Sequence, residues 1–361
     1  MLTPDALEHL RAVADLPDLT GTRYRLVRLL GRGGMATVYL VEDTALGREA
    51  ALKVISEPDP SGALAARLVG EARLLAHLEH PNLAPVHDVG TLPDGRVYYV
   101  MKYVRGERLD AWVARRPPRA VALRLFVKVC EAVAFAHAHA IVHRDLKPEN
   151  IMVGAFGEAL VLDWGVAKRL AGTPVAACTL VAPGVALSGG PVAPGATPAA
   201  GIPAGSPTAA GALIGTPAWM APEQARGEID RIDARTDVHA LGALLHFLLA
   251  GTAPFAGTGE AARARVIGEA PPRLVDLVPG LPKPLGAIAA RAMAKEPAER
   301  YATARELGAD VEAFLDGLSV SAYRESLVER GARVLGRTRT LVGLILAYVA
   351  VRVLILLLAG R

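Results

Sequence analysis

The eight residues His143-Arg144-Asp145-Leu146-Lys147-Pro148-Glu149-Asn150 decide how this chain of 361 residues is read. An imidazole, two cations, two carboxylates and a carboxamide stand side by side there, and Pro148 bars a regular helix. Apolar runs enclose the stretch: AVALRLFVKVCEAVAFAHAHAIV over 120–142 and IMVGAFGEALVLDWG over 151–165. Charge trapped between buried elements is costly unless it binds or reacts. The stretch is therefore a candidate chemical loop rather than a solvated turn.

Upstream, YRLVRLLGRGGMATVYLVEDT over 24–44 and GREAALKVI over 47–55 read as a hairpin and a third strand. Between the first two strands lies the cluster Gly31-x-Gly33-Gly34-x-Ala36-x-Val38. Such glycines serve a tight turn or let backbone N–H groups come close to phosphate oxygens. Lys53 ends the third strand, and SGALAARLVGEARLLAHL follows with Leu64, Leu68, Glu71, Leu75 and Leu78 at helical spacings of three and four. Glu71 on that apolar stripe calls for a partner. The strands LAPVHDVGTL and RVYYVMKYV then lead to Met101, Lys102, Tyr103 and Val104.

Composition sets outer limits. The length holds one large or two modest domains. Hydrophobic residues make up 52% and aromatics 5%, which predicts a mostly aliphatic core. A formal charge of +4 gives no argument for nucleic acid, and none is expected as a partner. Cys130 and Cys178 lie far apart without a CxxC pair, as in a reduced intracellular chain lacking a structural zinc site. His137 and His139, two apart on a predicted helix, cannot share a metal and read as incidental.

Taken together, these blocks resemble the bacterial eukaryotic-like (Hanks-type) Ser/Thr protein kinases. Residues 143–150 match the catalytic-loop pattern H-R-D-L-x-x-x-N at every fixed position, Ala50-Ala51-Leu52-Lys53 resembles V-A-I-K, and Asp163-Trp164-Gly165 resembles D-F-G. Gly215-Thr216-Pro217-Ala218-Trp219-Met220-Ala221-Pro222-Glu223 resembles the block that shapes the substrate groove. The likeness runs from about residue 24 to residue 315. It implies an α+β, two-lobed protein kinase fold, with a small antiparallel β-sheet lobe carrying one helix and a large, mostly helical lobe.

The resemblance also implies roles. Asp145 orients the substrate hydroxyl and accepts its proton, Lys147 contacts the γ-phosphate, and Lys53, paired with Glu71, grips the α- and β-phosphates. Gly31, Gly33 and Gly34 cover the phosphates of ATP. Val38, Ala51 and Met152 sandwich the adenine, while Met101, Tyr103 and Val104 form the connection that offers it backbone groups. Asn150 and Asp163 hold Mg²⁺, with Mn²⁺ as a substitute. Arg144 pairs with a phosphate on the activation segment, and Thr216 favours Ser/Thr substrates. Glu223 pairs with Arg300, and Asp237 anchors the backbone of the catalytic loop. Two positions depart from the pattern: Ala36 replaces a glycine, and Trp164 replaces phenylalanine.

The expected organisation is a leader over 1–22, a kinase domain over 23–316 with lobes 23–104 and 105–316, and a Pro/Gly/Ala-rich insertion over 171–213. A basic segment over 317–339 and a transmembrane helix over 340–359 complete it. Thirteen Leu, Ile and Val residues lie between Leu341 and Leu358. They contribute about −4 to −8 kcal/mol to insertion, against about 2.5–3.5 kcal/mol for Arg352. That balance predicts a single-pass anchor with the kinase domain in the cytoplasm; the alternative is an amphipathic or oligomerising helix at the membrane surface. The expected activity is ATP-dependent phosphorylation of Ser/Thr on protein substrates, with trans-autophosphorylation in a homodimer. The alternative is a pseudokinase or nucleotide-sensing scaffold.

Overall fold

Near its N-terminus the chain builds one antiparallel sheet, in a computed structural model that describes residues 16–33, 35–56, 59, 61–165, 167–169, 217–331, 348 and 351–352. The strands are β1 (Tyr24–Arg32), β2 (Ala36–Asp43), β3 (Arg48–Ile55), β4 (Val86–Thr91) and β5 (Val97–Lys102), in the order β1-β2-β3-β5-β4. Helix α1 (Ala63–His77) lies between β3 and β4 in sequence. Alternation divides the sheet into two faces. Tyr39, Val41, Leu52, Val54, Tyr98 and Val100 form one apolar cluster; Ala36, Ile55 and Tyr99 join Leu68 and Ala72 of α1 in another. Asp59 starts the helix by accepting the N–H groups of Leu64 and Ala65 at 2.6 and 3.0 Å.

The large lobe opens with β6 (Gly106–Arg108), α2 (Leu109–Ala114) and α3 (Arg119–Ala138). Four short strands follow: β7 (Ile141–Val142), β8 (Ile151–Gly154), β9 (Ala159–Val161) and β10 (Lys168–Arg169). They pair as β6-β8-β9 and β10-β7, so the loop at 143–150 is suspended between two small sheets. Then come α4 (Pro222–Arg226), α5 (Ala234–Ala250), α6 (Gly259–Gly268), α7 (Leu274–Leu277), α8 (Lys283–Ala292) and α9 (Ala304–Leu315).

Helix α5 is the axis of this lobe. Its residues from Thr236 through His246 are all buried, as expected of a helix apolar on every side. Asp233 caps its start by accepting the Arg235 N–H at 2.7 Å, and Gly251, at φ 76°, ends it. It packs on α3, α8 and α9. Gly242 permits the α8 contact, because a Cβ there would lie 2.7 Å from Ala292 Cβ and 3.1 Å from the Met293 backbone nitrogen. Neither atom belongs to a flexible chain end. Gly242→Ala should therefore cost about 1–3 kcal/mol through overpacking, read as a lower urea midpoint at unchanged slope.

The expectation of a C-terminal transmembrane helix is overturned. Among the described residues no helix is long and apolar enough to cross a membrane. Of the stretch 340–359 only Tyr348, Val351 and Arg352 are described, helical and exposed. In the sequence Arg352 interrupts the stretch after an apolar run of eleven residues, 341–351, about 16 Å of helix against roughly 30 Å of hydrocarbon. Residues 1–15 of the leader, Gly34, the insertion 171–213, Thr216 and residues 332–339 also lie outside the described residues.

Candidate active site

The sheet register determines what faces the large lobe. Val38 pairs with Lys53, Lys53 with Tyr99, and Ala51 with Met101. Two-residue alternation thus puts Ala51, Lys53, Tyr99 and Met101 on the face that carries α1. Lys53 Nζ donates to Glu71 Oε1 at 2.8 Å and Oε2 at 3.0 Å, and to Asp163 Oδ1 at 3.0 Å. Burial pushes the Lys53 ammonium down, but the charges and hydrogen bonds of Glu71 and Asp163 outweigh it and the net shift is upward. Asp163 moves the other way. Burial raises its carboxyl, yet Lys53 holds the net value below the usual range, while half of its side-chain surface stays open.

Gly33 N–H donates to Ala36 O at 2.9 Å, closing the turn between β1 and β2. Ala36 itself is buried in the α1-side cluster, which accounts for the methyl at that position. Gly31 has no neighbour where a Cβ would stand. Tyr103 and Val104 follow β5; the Tyr103 hydroxyl accepts from Arg28 Nη2 at 3.2 Å. Met152 sits in β8, half-buried. A cavity of about 1130 Å³ is lined by Arg48, Glu49, Tyr103, Val104, Phe156 and Glu158, and includes none of Lys53, Asp145, Asn150 or Asp163.

The loop at 143–150 is fixed by one buried carboxylate. Asp237, near the start of α5, accepts the backbone N–H of His143 at 2.8 Å and of Arg144 at 2.9 Å. His137 Nε2 lies 2.8 Å from Asp237 Oδ2; a carboxylate only accepts, so Nε2 carries the proton. Burial alone would raise the Asp237 carboxyl, but these partners, His137 foremost, hold it below the usual range. His137 is therefore not incidental. Its spacing from His139 bears on metal sharing and says nothing of a partner 100 residues away.

Hydrogen bonds on both ring nitrogens fix the orientation of His143. Its Nε2 lies 3.0 Å from Leu162 O and must donate, while Nδ1 accepts the Asp145 N–H at 3.3 Å. The ring packs on Trp164 at 4.5 Å between centroids, with Trp164 only 1% exposed. The larger aromatic at this position thus lies wholly inside. Gly165 keeps the turn after it open, because a Cβ there would come within 3.1 Å of Glu71 Oε2. Arg67 of α1 donates to the Gly165 carbonyl at 2.7 Å.

Asp145 Oδ2 receives Lys147 Nζ at 2.7 Å and Asn150 Nδ2 at 3.2 Å. Asn150 Nδ2 also donates to the Asp145 carbonyl at 2.8 Å. Its amide nitrogen is committed to the loop, so the carboxamide oxygen is the acceptor that the side chain has left to offer. Arg144 and Asp163 both occupy the left-handed region, at φ 70° and 59°. Burial lowers the Arg144 guanidinium pKa, and its Nε and Nη2 are buried without a partner among the described residues. Gln224 of α4 donates to the Arg144 carbonyl at 2.8 Å.

Glu223 and Arg300 form a two-pronged pair, Nη1–Oε1 and Nη2–Oε2 both 2.8 Å, with neither side chain more than 2% exposed. Arg300 also donates to the carbonyls of Arg235, Ala294 and Lys295, and Thr236 donates to Glu223 Oε1 at 3.0 Å. His137, Tyr99, Arg67 and Gln224 were not among the expected site residues. For His137 a signal existed: a buried aspartate opening a helix needs several donors.

A β-sheet lobe that holds out a lysine–glutamate pair, over a helical lobe that fixes an Asp–Lys–Asn loop, is the architecture of the protein kinases. Residues 24–186 match the family described as Protein kinase domain. The chain is 36% identical to Serine/threonine-protein kinase PknB of Mycolicibacterium smegmatis, over 85% of this chain and 45% of that protein. It is 34% identical to Serine/threonine-protein kinase PknB of Mycobacterium tuberculosis, over 90% and 49%. The crystal structure of the Mycobacterium tuberculosis PknI kinase domain superposes with a TM-score of 0.55 at 25% identity, covering 80% of this chain and 95% of that one. The matched domain is a protein kinase domain of the bacterial Hanks-type Ser/Thr kind, and the chain spans about half the length of the curated relatives it matches.

Proposed function

We propose that this chain transfers the γ-phosphate of ATP to Ser and Thr hydroxyls of protein substrates. The observation that carries the reading is the convergence of Lys53, Glu71 and Asp163 with the loop of Asp145, Lys147 and Asn150, joined where the Leu162 N–H beside Asp163 donates to the Asn150 carbonyl at 2.8 Å. The donor set fits a hard divalent cation. Asp163 offers a half-open carboxylate and Asn150 a carboxamide oxygen, and no group of three His, Cys, Asp or Glu suited to a metal occurs among the described residues. Two protein oxygens suit Mg²⁺, which takes its other ligands from water and phosphate; Mn²⁺ is the substitute. The bound cation would neutralise charge on the transferred phosphate.

Within this reading Asp145 orients the hydroxyl and accepts its proton as the oxygen attacks the γ-phosphorus and the bridging P–O bond to ADP breaks. Lys147, already on Asp145, offsets charge at the γ-phosphate, and Lys53 does so at the α- and β-phosphates. Gly31, Gly33 and Gly34 cover the phosphates, Val38, Ala51 and Met152 flank the adenine, and Met101, Tyr103 and Val104 meet its edge. Arg144 receives a phosphate on the activation segment, which would meet its unpartnered nitrogens. Thr216 selects Ser/Thr substrates. Glu223, Arg300 and Asp237 keep the large lobe in register, and the domain limits 23–316 stand as part of the proposal. Autophosphorylation between two copies is its regulatory part, and use of ATP fits a cytoplasmic setting. Ala36 and Trp164 remove no phosphate, metal or proton-accepting group, which favours catalysis over a scaffold role.

Incubation of the chain with γ-labelled ATP and Mg²⁺, followed by mass spectrometry, tests the reading. Phosphoserine and phosphothreonine are expected on the chain or on a generic protein substrate. Nucleotide binding with no transfer to either would sink it.

A further inference from the structure

Glu71 has a partner besides Lys53. The Tyr99 hydroxyl donates to Glu71 Oε1 at 2.9 Å, and Tyr99 is 1% exposed. Its strand position pairs it with Lys53 across the sheet, and the Lys53 ammonium stands 5.7 Å from its ring centroid. The ring packs with Ile55, Leu68 and Ala72, at the seam of sheet and helix. The neighbouring Tyr98 points to the other face, edge-on to Tyr24 with ring centroids 6.3 Å apart. Burial, then the charge of Glu71, pushes the Tyr99 phenol well above its usual range, so it remains a donor at any working pH.

Lys53 divides its ammonium between Glu71 and Asp163. A nucleotide that draws on Lys53 weakens its hold on Glu71 further. Tyr99 is not shared in this way: its hydroxyl ties α1 directly to β5. We propose that Tyr99 is a positioning residue, which holds Glu71, and through it the Lys53 ammonium, in place for the nucleotide phosphates before the nucleotide arrives. The proposal rests on the kinase reading above for its consequence, but not for its geometry.

The test uses the full chain and the variants Tyr99→Phe, Tyr98→Phe, Glu71→Ala and the pair Tyr99→Phe with Glu71→Ala. Hydrogen exchange of 63–77 without nucleotide reports on α1, and titration with Mg-ATP reports on Lys53. Tyr99→Phe should weaken Mg-ATP binding about tenfold, the scale of one lost hydrogen bond to a buried charged acceptor. It should also speed exchange in α1, while its melting temperature stays near that of Tyr98→Phe, whose affinity matches wild type. In the Glu71→Ala background the loss should shrink below about twofold, because residues acting through one contact are not additive. The proposal is overturned if Tyr99→Phe exchanges and binds like Tyr98→Phe, or if its full effect persists without Glu71. A wild-type chain that binds Mg-ATP but transfers no phosphate would defeat the kinase reading alone, and the exchange comparison would still decide on Tyr99.

Discussion

Asp145→Asn should slow phosphoryl transfer by about 10²–10⁴-fold, the range for losing a positioned general base. That loss corresponds to about 2.7–5.4 kcal/mol in the barrier. The variant isolates proton acceptance because asparagine keeps the shape of aspartate and one oxygen for Lys147 Nζ, now 2.7 Å from Oδ2. The nucleotide side of the site is untouched, since Lys53 bonds to Glu71 and Asp163 and not to Asp145. The signature is a fall in kcat with the Mg-ATP dissociation constant within about twofold of wild type, where an interaction specific to the transition state has been removed. Steady-state rates with labelled ATP, paired with calorimetric titration, measure both. Equal rates in the two proteins would mean that Asp145 takes no part in the chemistry.

Glu223→Ala should destabilise the large lobe by about 3–5 kcal/mol, because it leaves the Arg300 guanidinium buried and uncompensated. Three backbone carbonyls still accept from Arg300, but none carries its countercharge. Against a total stability of about 5–15 kcal/mol the loss is large. A paired apolar replacement, Glu223→Leu with Arg300→Met, should lose less than the single change, since it removes both desolvated charges. The pH dependence follows from the same pair. Burial raises the Glu223 carboxyl, but Arg300 holds the net value below the ordinary 4.5. A depressed carboxyl contributes stability that is full above its unfolded value and is lost as pH falls through its folded one. Wild type should therefore lose stability below about pH 4.5 more steeply than Glu223→Ala, as urea midpoints across roughly pH 3–6 would register.

Much of this arrangement is legible in the sequence because its signals are local. Pro148 and the charges around it mark a loop, the glycines before Val38 mark a turn, and Glu71 on an apolar helical stripe asks for a cation. What stays hidden depends on distance along the chain. Tyr98 and Tyr99 look interchangeable until the sheet sends them to opposite faces, and Glu71, the partner of Tyr99, lies 28 residues away on a helix. For His137 the need of Asp237 for donors is a signal, but its identity as the donor stays hidden, because Asp237 opens α5 in another part of the lobe. Arg67 reaches the Gly165 carbonyl across 98 residues, and no periodicity encodes a backbone acceptor. The C-terminal expectation rested on transfer energies summed across a stretch that Arg352 interrupts, and among the described residues no helix long and apolar enough to cross a membrane bears it out.

The left-handed backbone at Asp163 and Arg144 has a consequence for which amino acids these positions can accept. Each such conformation costs on the order of 1–3 kcal/mol for a residue with a Cβ, and aspartate and asparagine tolerate it better than most. At position 163 one residue type thus answers two demands, an oxygen for the cleft and a bend in the main chain. Isoleucine, valine and threonine are shut out there by torsion before their chemistry is considered. Drift at this site is narrowed from two independent directions.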